Sequence, residues 1–213
     1  MLRPMIVLFL GCASLLTAQE STGQTDLDKT VQAFLQRHAG KWYDMNVSTA
    51  DGKILYDLIV KHQYKKALEI GTSTGHSAIW IAWALSKTGG KLITVEIDED
   101  RHQIALENFK KAGLSEYIDA RLADAHELVP KLPGPFDFVF SDADKDWYKN
   151  YFDAVAPKLV VGGCYTTHNV SERRRGGFGS GGYVEYLKGL KNFETTFNGS
   201  GNGIAISYKK AEQ

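Results

Sequence analysis

Between residues 141 and 146 the chain reads Ser-Asp-Ala-Asp-Lys-Asp, directly after the apolar run Phe136-Asp-Phe-Val-Phe140. Three carboxylates this close are costly unless a cation or a helix N-terminus offsets them, and capping a helix needs only one. A second cluster, Thr167-His168-Asn169, ends a run that begins at Leu159-Val160-Val161. Carboxylate, imidazole and amide oxygen are donor types of a divalent-ion site. Asp142, His168 and Asn169 are therefore a candidate ligand set if the fold brings the two segments together. Taken alone, His168 reads more plainly as a strand-end histidine.

Two further segments carry ligand-binding residue types. Glu69-Ile-Gly71-Thr-Ser-Thr-Gly75-His-Ser77 follows a short apolar run. Its glycines permit a tight turn close to a ligand, and free N–H groups at a following helix start favour an anionic group. The spacing is not G-x-G-x-x-G, so the dinucleotide fingerprint is not matched, and a plain tight turn remains an alternative. Glu96 closes Leu92-Ile-Thr-Val-Glu96, 25 positions beyond Gly71. A carboxylate there is placed to accept hydrogen bonds from a ribose diol, or is a solvated strand end. Ala123-Asp-Ala-His126 is placed to border an adenine ring, although helix capping by Asp124 is the favoured reading of that segment by itself.

These clusters need a scaffold that gathers them. Val31, Phe34, Leu35 and His38 follow a helical period, and a second helix is expected over 50–62. Strands are expected at 67–70, 92–95, 118–122, 136–140 and from 159 towards 167. Helices lie between them, one over 98–112 stopped at Gly113 and one carrying Tyr148, Tyr151, Phe152 and Val155 on a stripe. Alternation of this kind predicts a parallel sheet with helices on both faces. The tail differs: a helix through Tyr183, Tyr186, Leu187 and Leu190 precedes two short strands, 193–197 and 204–208, joined by Asn198-Gly-Ser-Gly-Asn-Gly203. That pattern predicts an antiparallel hairpin. In open sheets of this class ligands bind beyond the carboxyl ends of the strands, where all the clusters above fall.

Composition narrows the class. The 213 residues are 43% hydrophobic and 23% charged, which excludes disordered and low-complexity chains. Lys plus Arg equals Asp plus Glu at 25 each, so the net charge is zero and phosphate-driven nucleic-acid binding is not expected. Cys12 and Cys164 cannot build a disulfide scaffold. Residues 1–19, with Arg3 before an apolar stretch and Ala18 near its end, have the order of a secretory signal. Residues 20–213 then form one domain, exported to the periplasm or secreted if the leader is cleaved and membrane-anchored if it is not. No stable membrane span is expected after cleavage.

Glu69-x-Gly71-x-x-x-Gly75-x-Ser77, the terminal Glu96 and Asp142-Ala-Asp-Lys-Asp-x-Tyr148 resemble the cation-dependent S-adenosylmethionine O-methyltransferases, such as caffeoyl-CoA and catechol O-methyltransferases. Asn46-Val-Ser-Thr-Ala-Asp-Gly-Lys53 is similar to the loop that leads into that family's site. The resemblance covers roughly 42–209 and implies a class I, Rossmann-like fold: an α/β, doubly wound, mostly parallel seven-stranded sheet with a C-terminal antiparallel hairpin. It implies that Val47 and Ser77 touch the methionine end of the cofactor, with Glu69 and the Gly71-Thr72 backbone beside it. Glu96 would take the ribose, and Ala125 and His126 the adenine. Asp142 would serve the cofactor site and the metal, with His168 and Asn169 as further ligands. Asp144 would shape the site, and Lys145 would be the catalytic base.

The family usually has Asp-Asn where this chain has His168-Asn169. The change removes a negative charge and leans away from Mg²⁺ towards Mn, Fe or Zn, or weakens metal binding altogether. The implied reaction is methylation of a small hydroxylated aromatic, with the chain as a homodimer. Arg173, Arg174 and Arg175, in the Gly-rich segment 171–182, are placed to select an anionic acceptor or form a solvated loop. The rival reading is an exported, catalytically weak or dead ligand-binding relative. A nicotinamide oxidoreductase is disfavoured by the missing fingerprint.

Overall fold

The computed structural model of the protein describes residues 24–171 and 180–212. The expected leader and most of the Arg/Gly segment lie outside the described residues. Fourteen α and β elements follow in the order α1 (Asp26–Arg37), α2 (Thr49–His62), β1 (Lys66–Ile70), α3 (His76–Thr88), β2 (Lys91–Glu96), α4 (Glu99–Lys111), β3 (Ile118–Leu122), α5 (Ala125–Leu128), β4 (Phe136–Ser141), α6 (Tyr148–Val155), β5 (Leu159–His168), α7 (Ser180–Gly189), β6 (Phe193–Asn198) and β7 (Ile204–Lys209). Among the described residues no helix is long and apolar enough to cross a membrane.

The seven strands form one sheet in the order β3-β2-β1-β4-β5-β7-β6. β1 to β5 pair in parallel, and β7 enters antiparallel between β5 and β6, as the Gly/Asn loop predicts. Alternate strand residues bury on opposite faces. Ala67, Phe138, Phe140 and Ile206 pack against α1 to α4, while Leu68, Ile70, Val139 and Ala205 pack against α5 to α7. The strand order reverses between β1 and β4, which is where a doubly wound sheet opens a crevice.

Caps fix where the helices begin. Thr25 and Asp28 form a capping box on α1, and Asp28 also accepts the Trp83 indole N–H at 2.6 Å, which docks α1 onto α3. Asp98 caps α4 and Asp124 caps α5, so the capping reading of Asp124 holds alongside its position on the cavity. Gly113, at φ +74°, follows the end of α4.

Candidate active site

Glycine is required at position 71. Its φ is +96°, and a Cβ there would stand 2.8 Å from the backbone oxygen of Asp142. The end of β1 thus lies directly against the end of β4, and Asp142 N–H donates to Ile70 O at 2.9 Å. The turn that follows is tied to β2 through its backbone. Gly71 and Thr72 N–H both donate to Val95 O (3.1 and 3.2 Å), and Ser73 N–H donates to Glu96 Oε2 at 2.7 Å. Cross-strand acceptors from β2 thus take the donors of the turn, while at the start of α3 the His76 N–H reaches Asn46 Oδ1 at 3.3 Å.

What the loop does is hold Glu96. Its Oε1 accepts Ile97 and Asp98 N–H, each at 3.0 Å. With the Ser73 contact, three of a carboxylate's roughly four acceptor positions are taken by backbone. The side chain is therefore fixed with room for one more donor. Beside it Ile97 is 66% exposed, an apolar face left open to the cavity it lines. His126, also on the cavity, stacks on Trp147 with ring centres 3.8 Å apart.

The cavity measures about 620 Å³, within the range of sites for cofactor-sized ligands. Gly71, Thr72, Ser77, Glu96, Ala125, His126, Asp142, Lys145, His168 and Asn169 all line it. Two expected contacts stand behind its wall. Val47 is buried, with its carbonyl held by His76 Nδ1 at 2.9 Å. Glu69 is fully buried, its Oε2 accepting the Thr94 hydroxyl at 2.5 Å. Burial pushes the Glu69 carboxyl up to about 8, against the opposing pull of the Ser77 and Thr94 hydroxyls.

Sequence reasoning passed over three positioning residues. His76, the first residue of α3, donates to Val47 O and accepts the Trp80 indole N–H at 3.1 Å; burial lowers its pKa to about 4. Asn46 reaches the Thr74 hydroxyl at 2.8 Å, and Arg101 pairs with Asp44 through both Nε and Nη2. Together they tie the 43–47 segment over the glycine loop.

At the far strands, Asp142 Oδ2 lies 2.8 Å from His168 Nδ1, and its Oδ1 lies 3.6 Å from Lys145 Nζ. The other imidazole nitrogen, Nε2, lies 3.2 Å from Oδ2 of Asp51, which no sequence cue had singled out. Burial acts to lower the His168 pKa, but hydrogen bonds to Asp142 and Asp51 overcome it and push it up to about 9. Tyr148 hydroxyl donates to His168 O at 2.9 Å and lies 3.5 Å from Lys145 Nζ.

The sequence model of the O-methyltransferase family matches residues 18–172, most of the chain. The chain belongs to the O-methyltransferase family. It is 42% identical over 112 residues to a catechol O-methyltransferase of Niastella koreensis, covering 51% of this chain and 50% of that one. It is 35% identical over 127 residues to caffeoyl-CoA O-methyltransferase 1 of Eucalyptus globulus, covering 57% and 51%. The chain thus spans about half the length of the curated relatives it matches. The crystal structure of TomG, an O-methyltransferase of Streptomyces achromogenes in complex with S-adenosylmethionine, superposes with a TM-score of 0.73 at 26% identity, over 86% of this chain and 91% of that one. A Bacillus cereus O-methyltransferase in complex with S-adenosylhomocysteine gives 0.72 at 27%, with the same coverage.

The donor set does not fit the divalent cation that the resemblance implies. A histidine ligand presents one ring nitrogen to the metal and donates from the other. Here both nitrogens of His168 face carboxylates. Among the described residues no three His, Cys, Asp or Glu side chains are arranged to hold a metal ion.

Proposed function

We propose that the chain transfers the methyl group of S-adenosylmethionine to a hydroxyl of a small phenolic or catechol-like acceptor. The observation that carries this reading is that the backbone-anchored Glu96 and the Asp142–Lys145 pair line one cavity at the carboxyl ends of β2 and β4. Family membership supports the reaction class, and the names of the curated relatives support a hydroxylated aromatic acceptor.

S-adenosylmethionine, when bound, supplies a methyl group on a sulfonium. The chain's own part is orientation and proton handling. The open acceptor position of Glu96 takes a ribose hydroxyl, while Ile97, Ala125 and His126 flank the base. Ser77 and the Gly71 backbone border the methionine end, with Val47 and Glu69 supporting them from behind. Lys145 Nζ, a third exposed, accepts the proton of the acceptor hydroxyl and passes it to solvent. Fixing the two reactants in line supplies much of the rate. No step is routed through a cation, because the donor set does not fit one.

Calorimetric titration with S-adenosylhomocysteine tests the reading. Micromolar binding is expected, weakened at least about tenfold in Glu96→Ala, the loss of one charge-assisted hydrogen bond. Equal affinity in the two proteins removes Glu96 from the ribose site. Binding without methyl transfer to any phenol would leave the ligand-binding relative as the better reading. Residues 1–19 are read as an export leader, checked by N-terminal sequencing of exported protein: a start near residue 20 supports it and Met1 contradicts it. The homodimer implied by the family is checked by light scattering.

A further inference from the structure

We propose that this site works without a divalent cation: the His168 ring, held between Asp142 and Asp51, fills the place between the carboxylates, and Asp51 is the positioning residue that keeps it there. The inference rests on the methyltransferase reading of the cavity and deepens it.

Hydrogen-bond accounting is the first support. A neutral imidazole has one N–H and one lone pair, so it satisfies only one of two flanking carboxylates. With Asp142 Oδ2 at 2.8 Å from Nδ1 and Asp51 Oδ2 at 3.2 Å from Nε2, both nitrogens donate and neither offers a lone pair to a metal. The ring is 4% exposed and Asp51 is fully buried, so water does not stand in for either partner.

Space is the second. One imidazole separates the two carboxylates, with Asp142 Oδ2 on one side and Asp51 Oδ2 on the other, so the ring itself occupies the place that an ion bridging them would need.

The third is the way Asp51 is built in. Its Oδ2 also accepts the Ser48 hydroxyl at 2.8 Å and the Asn202 N–H at 3.1 Å. The β6–β7 loop presses its backbone onto this carboxylate, and any Cβ at Gly201 would collide with it. A residue 117 positions away in sequence from His168 is thus fixed by a helix cap on one side and a hairpin loop on the other.

The chemistry closes without a metal. The oxygen–methyl bond forms as the carbon–sulfur bond breaks, the electron pair stays on sulfur, and the phenolic proton passes to Lys145 Nζ. A chelating pair of hydroxyls is then unnecessary, so the acceptor class extends to phenols with a single hydroxyl.

The test is a titration of the EDTA-treated full chain with Mn²⁺, followed by electron paramagnetic resonance, with S-adenosylhomocysteine binding measured on the same sample. The expected result is no stoichiometric Mn²⁺ binding up to millimolar concentration in the wild type, and a Mn²⁺ site in His168→Asp. Cofactor-product affinity should agree within about twofold with and without Mn²⁺. Nitrogen-15 spectra of the wild type should show both His168 nitrogens protonated at neutral pH, and Asp51→Asn should leave one protonated. Stoichiometric Mn²⁺ binding to the wild type, or a single protonated nitrogen in it, overturns the inference. Failure to bind S-adenosylhomocysteine would instead defeat the methyltransferase reading. The wild-type measurements decide the matter even if a variant fails to fold.

Discussion

Replacing Glu69 with glutamine should make the ligand-free protein more stable near neutral pH and leave it nearly unchanged in mild acid. Glu69 is fully buried, with its carboxyl raised from 4.5 to about 8 by burial. A carboxyl raised in the folded state contributes stability that is fully present below the unfolded value and is lost as pH rises through the folded one. Near neutral pH the folded chain therefore holds a proton that the unfolded chain has released. The roughly 2.5 pH units between the ordinary value and neutrality, at roughly 1.4 kcal/mol each, amount to roughly 3 kcal/mol. Glutamine keeps the shape and the acceptor for the Thr94 hydroxyl without needing that proton. Urea unfolding followed by tryptophan fluorescence, at mildly acidic and neutral pH, reads the difference directly. Wild type should lose stability across that interval while the variant stays flatter. Parallel pH profiles for the two proteins, or a variant less stable at neutral pH, would refute the reasoning.

Three further substitutions probe the site. Gly71→Ala places a side chain at φ +96° against the Asp142 carbonyl, and should cost roughly 1–3 kcal/mol in chemical unfolding and weaken S-adenosylhomocysteine binding. Lys145→Met should lower kcat by about 10²–10⁴ while product affinity holds; an unchanged kcat would remove Lys145 from the mechanism. His76→Phe loses the bond to Val47 O and should cost roughly 1–3 kcal/mol near neutral pH. Because the His76 pKa is lowered to about 4, its contribution is present above 6.5 and lost as pH falls through about 4, so the variant's acid unfolding should be the flatter.

Local signals made most of the fold legible. The strands from β1 to β5 announce themselves as short apolar runs between helical periods, and Asn198 to Gly203 announces the hairpin. The glycine loop, Glu96 and the Asp142–Lys145 cluster were legible because each is a short segment of unusual residue types at a strand end. Asp51 was not. It stands in the first turn of α2, where Ser48 is the cap that takes its N–H, and its distant partner, His168, lies in β5. His76 was equally obscure, since its partner Val47 is 29 positions earlier. The ties of the Gly71, Thr72 and Ser73 N–H groups were hidden for the same reason: their acceptors, Val95 O and Glu96, come from a neighbouring strand. The metal expectation rested on residue types, and types alone do not reveal that both faces of one imidazole are already engaged.

The most direct test of the central claim is to incubate the full chain with S-adenosylmethionine bearing a deuterated methyl group and a panel of catechols and simple phenols, with EDTA present. Mass spectrometry then follows the acceptors. The account predicts that a deuterated methyl appears on an acceptor oxygen and that Lys145→Met suppresses the transfer. A wild-type protein that binds S-adenosylhomocysteine yet leaves every acceptor unlabelled would contradict it.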